Sequence, residues 1–153
     1  MKITKAKAIN IFDWLTIRGG DTLVSSRFRD IIESIEPSTH RFRSIEVVRA
    51  DGTPLEGQFY VFKVVGTIDS IIEEESNLKT TGKGIIDSWI YERKVGEWRC
   101  AVNSNVIAGR ACWTEKHYGG VWFVSDKVVE QLKAQKLKGF NLDSYCAEIA
   151  RDI

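Results

Sequence analysis

The chain has 153 residues, 43% of them hydrophobic and 28% charged, the profile of a soluble globular protein large enough to bury a core. A formal net charge of +1 excludes a field strong enough to hold the whole chain on nucleic acid or an anionic membrane, although charges cluster locally. Cys100, Cys112 and Cys146 include no CxxC pair, which disfavours a disulfide framework and a zinc site and leaves reduced, mostly buried thiols as the plain reading.

The N-terminal segment holds Lys2, Lys5 and Lys7 and leads into AINIFDWL, where Asn10 and Asp13 interrupt any apolar run of signal-peptide length. INIFDWLTI suits either a strand or one helical turn and is left open. RGGD (Arg18 to Asp21) is a turn whose glycines tolerate positive φ. Phe28, Ile31, Ile32 and Ile35 then fall at the spacing of one helical stripe, and Pro37 ends the helix. RFRSIEVV and QFYVFKVV are β-rich runs separated by RADGTPLEG, which predicts a hairpin with a long loop. TIDSIIEEESN is expected to be short and irregular, with Glu73, Glu74 and Glu75 facing water. KTTGKG is the most loop-like stretch, and IIDSWIYERKVGEWRCAV predicts two strands joined at Val95-Gly96. VNSNVIAGRACW is ambiguous, TEKHYGG is expected to be a loop, and VWFV a short strand. A second helix runs from Lys127 to Lys136 with Val128, Val129 and Leu132 inward, and Gly139 is the expected glycine just past its end. Phe140 and Leu142 alternate as a short strand. The order predicts an α+β fold, a largely antiparallel sheet with two main amphipathic helices packed on it, in a single domain over residues 1–153. No window approaches the roughly 20 apolar residues of a membrane span, so a cytoplasmic location and no membrane partner are expected.

LVSSRFRDIIESI and FVSDKVVEQLKAQ repeat one pattern, aligning Val24 with Val124, Ser25 with Ser125 and Ile32 with Leu132. Such a pair suggests related positions on one sheet. Neither serine has the flanking glycines of a nucleophile elbow. Each stands where a side-chain oxygen accepts a backbone N–H at a helix start, so N-capping is the preferred role, and Asp126 adds a charge that the helix dipole favours. His40 and His117 sit in polar loops and are expected to be solvent-exposed. No metal-ligand spacing occurs, and no glycine pair forms a phosphate-binding loop, so no metal and no cofactor are expected. Five tryptophans, at 14, 89, 98, 113 and 122, are read mainly as core or as protein-interface anchors rather than base-stacking platforms. The acidic Asp69, Glu73, Glu74 and Glu75, and the basic Lys127, Lys133, Lys136 and Lys138, are the concentrated charges outside the N-terminus.

LVSSRFRDIIE, HRFRSIEVVRADGTPLEGQFYVFKV, IIEEES, VIAGRACW and VWFVSDKVVEQLKAQKLKGF together resemble a bacterial polymorphic-toxin immunity family, immunity protein family eleven, formerly a domain of unknown function. The resemblance runs from about Gly20 to Cys146, and the helix starts and the closing LKGF are its most specific parts. Ser26, where the pattern more often has Asp, is a mild departure. The resemblance implies a cytoplasmic antidote, not an enzyme, that binds and blocks a cognate toxin of the kind delivered by contact-dependent or type VI secretion. It transfers no catalytic residues. If such a protein plugs a cationic groove, Asp69, Glu73, Glu74 and Glu75 are the candidate toxin-binding residues. Nucleic acid is not an expected partner, and a homodimer is left open. Two alternatives stay in view: a small hydrolase using Ser125 or His117, and a homo-oligomeric scaffold or adaptor joined through Trp-bearing strands.

Overall fold

A computed structural model describes residues 12–17, 20–76, 100–116, 118–140 and 147–150, and the side chains of all but 118–121 and 147–149 among them. The chain falls into two compact units, Met1–Val65 with Asp126–Asn141, and Gly66–Ser125 with Leu142–Ile153.

The first unit contains β1 (Trp14–Thr16), β2 (Thr22–Ser25), helix α1 (Ser26–Ile35), β3 (Arg41–Ile45), β4 (Phe59–Lys63) and helix α2 (Asp126–Ala134). Its four strands form an antiparallel sheet in the order β1-β2-β4-β3. Cross-strand partners share a face, so Leu15, Leu23, Val61 and Arg43 lie on one side and Trp14, Val24, Tyr60 and Ser44 on the other. On the first side Leu23 and Phe59 pack with Val47 and Leu55, both contributed by the β3–β4 connection. On the second, the Phe28 ring meets Phe62 and Trp14 edge-on, each at 5.4 Å. Phe28 and Ile32 are fully buried, as the helical stripe requires, and each contributes about 1.5–3 kcal/mol by leaving water.

Both ends of α1 follow local rules. Ser25 Oγ accepts the Phe28 N–H at 3.3 Å, the expected cap, and donates to Asp13 Oδ1 at 2.7 Å. At the other end the Glu36 N–H closes on the Ile32 carbonyl at 2.9 Å, and Pro37 forbids continuation. Buried Asp13 also accepts the Lys138 N–H on Oδ2 at 2.9 Å, while Arg27 lies 3.6 Å from its Oδ1 and donates to the Gln135 carbonyl. One carboxylate thereby joins β1, the start of α1 and the segment leaving α2.

The end of α2 differs from expectation. Lys136 donates to the Lys133 carbonyl at 3.0 Å and Leu137 to the Leu132 carbonyl at 2.9 Å, the two bonds of a Schellman ending. Lys136, at φ 53°, occupies the left-handed position assigned above to Gly139. Gly139 serves a different need: a Cβ there would lie 2.3 Å from the Trp14 carbonyl oxygen, so the chain passes β1 only without a side chain.

The second unit contains β5 (Thr67–Ile68), a 3-10 helix (Glu73–Glu75), β6 (Ala101–Asn103), β7 (Cys112–Glu115), β8 (Tyr118–Val124) and β9 (Ala147–Ile149). β5, β7 and β8 form one sheet and β6 pairs with β9 in another. Cys100, Val102, Ile107 and Trp113 make its core, and Trp113 stacks on Phe123 at 5.6 Å. The chain is therefore α+β. INIFDWLTI resolves into a strand at Trp14–Thr16, and the hairpin with a long loop is β3–β4. TEKHYGG is not a loop: Thr114 and Glu115 end β7, and Tyr118 begins β8. The two Val-Ser segments end strands of different sheets rather than one. Cys100 and Cys112 are buried. KTTGKG, the strands expected within 85–99, His117, Trp89, Trp98, Leu142 and Cys146 lie outside the described residues.

Candidate functional site

The acidic segment lies in the second unit and is held from two sides. On one, Ile72 N–H donates to the Ala101 carbonyl at 2.9 Å and Asn103 N–H to the Ser70 carbonyl at 2.8 Å, while Ile71 bridges to Val102. Ser76 ties the same strand through its hydroxyl, which accepts from Ala101 N–H at 2.9 Å and donates to the Ile72 carbonyl at 2.7 Å. On the other side stands Glu115, buried at 3% exposure. Its carboxylate accepts the Ser70 N–H at 3.0 and 3.2 Å and the Ser70 hydroxyl at 2.6 Å, and also the Lys116 N–H at 3.0 Å. A buried carboxylate is tolerable only when its lone pairs are filled in this way.

The result is a cleft of about 340 Å³ lined by Asp69, Ser70, Ile71, Ile72, Glu73, Glu74 and Asn103. Of the four acidic candidates the fold brings Asp69, Glu73 and Glu74 to this cleft, exposed, and leaves Glu75 half-buried outside its lining. They differ in commitment. Asp69 pairs with the Lys116 ammonium at 3.1 Å, with both side chains at least half exposed, an ion pair worth about 0–1 kcal/mol. Among the described residues the Glu73 side chain makes no hydrogen bond and no ion pair. The cleft therefore offers carboxylates to a cation on a rigid backbone, with one wholly uncommitted.

The supporting residues Ser70, Asn103 and Glu115 were not singled out by sequence. Glu115 stands between Thr114 and Lys116 in a stretch expected to be a loop, so nothing local marks it, and its role emerges only with its partner 45 residues away.

The other candidates separate clearly. Ser70 lies 2.6 Å from a carboxylate but at 1% exposure meets no substrate. Ser25 is a cap. Ser125 is not the second cap expected: its Oγ is buried and, among the described residues, makes no hydrogen bond, neither to the helix start nor to a general base. His40 is buried rather than exposed; its Nδ1 accepts the Val65 N–H at 3.2 Å and its Nε2 donates to Glu36 at 3.1 Å, which fixes the tautomer. Among the described residues no group of His, Cys, Asp and Glu is arranged to hold a metal ion, and no helix is long and apolar enough to cross a membrane.

The chain is α+β, with an acidic cleft braced by Ser70, Asn103 and Glu115. The sequence model of the immunity protein family Imm11 matches residues 4–146, and the chain belongs to that family. No curated protein matches it.

Proposed function

We propose that this chain is a cytoplasmic immunity protein that binds a cognate toxin domain and neutralises it without catalysis of its own. Family membership over residues 4–146 is the observation behind this reading. That match runs through both compact units, which supports treating residues 1–153 as one functional domain. Within the chain, the acidic cleft is the proposed toxin contact. Asp69, Glu73 and Glu74 line it, Glu75 flanks it, and Glu73 is available to a partner's Lys or Arg without breaking a side-chain bond to any described residue. Complementary charge would steer encounter and fix register.

The test is co-expression of the chain with a toxin domain encoded beside it, scored by cell survival and co-purification. Reversal of Glu73, Glu74 and Glu75 to Lys should weaken affinity about 10- to 100-fold, the effect of losing about 1.4–2.7 kcal/mol at an interface. Glu73→Lys alone should account for more of the loss than Asp69→Lys, because Lys116 already occupies Asp69. Protection and affinity unchanged in the triple variant would remove the acidic cleft from the interface. Absence of binding by the wild-type chain would remove that toxin as its partner.

A further inference from the structure

In the sheet order β1-β2-β4-β3, strand β3 stands at an edge, and among the described residues nothing pairs with its outer side. The strand reads RFRSI, with Arg41, Arg43 and Ser44 exposed. Arg41 is the direct cross-strand partner of Lys63, and Arg43 follows on the same face. Like charges directly opposite one another oppose pairing, so this arrangement favours a compensating anion, and the described residues supply none. The other described arginines of the unit are engaged: Arg27 with Asp13, Arg29 with the Tyr60 hydroxyl and ring, Arg49 with the Pro54 carbonyl. Arg41, Arg43 and Lys63, by contrast, take part in no side-chain hydrogen bond and no ion pair among the described residues. On the opposite face Phe42 stacks on Phe62 at 4.7 Å, which holds the edge strand flat against the sheet.

We propose that the outer edge of β3 accepts an extended acidic segment of a protein partner as a fifth strand. The partner's main chain takes up the unpaired edge, and its Asp or Glu residues, at every second position, meet Arg41 and Arg43 with Lys63 one strand behind. Strand addition of this kind draws affinity from main-chain bonds and specificity from alternate side chains. A second copy of the chain is a poor occupant, because a symmetric antiparallel pairing centred on Arg43 sets two guanidinium groups opposite each other. A nucleic-acid strand fits less well, since it has no peptide groups to use the edge and three cations neutralise few phosphates. That the partner is a toxin rests on the proposed function above; acceptance of an acidic strand does not.

The experiment uses the full chain and a short fluorescent, capped peptide alternating glutamate with valine, followed by anisotropy. Binding should weaken at least about tenfold, or 1.4 kcal/mol, in R41E/R43E/K63E, and equally for a peptide N-methylated on alternate amides, which cannot complete the ladder. If the reversed variant loses its folded circular dichroism, R41Q/R43Q/K63Q gives the same reading. A lysine–valine peptide should prefer the reversed variant. The proposal is overturned by wild-type chain that binds no acidic peptide at roughly millimolar concentration, by equal binding of the N-methylated peptide, which would mark mere ion exchange, or by variants that bind like wild type. It is equally overturned if a single-stranded oligonucleotide outcompetes the peptide on these residues, or if the chain alone sediments as a dimer that Arg43→Glu alters. The assay contains no toxin, so its failure and a failure of the co-expression test are separate results.

Discussion

Replacing Glu115 with Ala tests whether the acidic cleft is held in shape by a buried carboxylate. Ser70 is 1% exposed and gives both its N–H and its hydroxyl to Glu115, at 3.0 and 2.6 Å. Glu115→Ala orphans both donors, at about 1–3 kcal/mol each, for a total of about 2–6 kcal/mol. The Lys116 N–H escapes this penalty because it also reaches the Ile68 carbonyl at 2.8 Å. In urea, with a slope of about 2 kcal/mol/M, the unfolding midpoint should fall by about 1–3 M. Ser70→Ala supplies the control. If the hydroxyl bond to the carboxylate is real, the double-mutant cycle returns a coupling of about 1.5–3 kcal/mol, and Glu115→Gln, which keeps one acceptor oxygen, falls between wild type and Ala. Toxin affinity should fall with Glu115→Ala even though Glu115 is too buried to touch a partner, because Asp69 and Ile71 flank the residue it anchors. A loss below about 0.5 kcal/mol, or a coupling indistinguishable from zero, refutes the reasoning.

Gly139→Ala should destabilise by about 2–4 kcal/mol, since its Cβ meets the Trp14 carbonyl oxygen at 2.3 Å and φ is 105°; a thermal melt should register a fall of about 5–10 °C. Ser25→Ala should cost about 1–2 kcal/mol in a denaturant titration, whereas Ser125→Ala should stay within about 0.5 kcal/mol of wild type because no hydrogen bond is lost. Equal losses at the two serines would show that both cap their helices. Asp51 is held below its ordinary value by the Thr53 hydroxyl and N–H, with the Arg49 charge assisting. Its contribution is therefore present above the unfolded carboxylate range of about pH 4 and disappears as pH falls through the lowered folded value. The stability gap between wild type and Asp51→Asn should be widest near neutrality and close in acid; a gap independent of pH would contradict this.

Periodic and nearest-neighbour features were legible in the sequence; features that depend on distant partners were not. The stripe Phe28, Ile31, Ile32 and the stop at Pro37 define α1 from spacing alone, and RADGTPLEG announces the long β3–β4 connection. The cleft was half legible. The run of acidic residues is visible as composition, but its brace joins Ser70 to a residue 45 positions on. Asp13 shows the same limit more sharply. In sequence it merely interrupts an apolar run, whereas in the fold it receives a backbone bond from Lys138, 125 residues away. The Ser25 and Ser125 repeat was misleading for a related reason. The pattern repeats, but Asp13 stands beside only the first serine. Gly139 was read by the helix-ending rule when its φ and its missing side chain answer to the Trp14 backbone.

Net charge is a poor guide to what such a chain binds, because the fold divides its charges between internal and external use. Asp13 with Arg27, Glu115 with Ser70, Asp51 with Thr53 and Arg49 with Pro54 are committed within their own units. Removing any of them changes stability before it changes recognition. Glu73 in one unit, and Arg41, Arg43 and Lys63 in the other, are committed to nothing described in the chain. None of this shows in the formal charge of +1 for the whole chain, yet a partner within a Debye length of about 8 Å feels the local groups and not the sum. Selectivity for a charged partner is therefore compatible with near-neutrality.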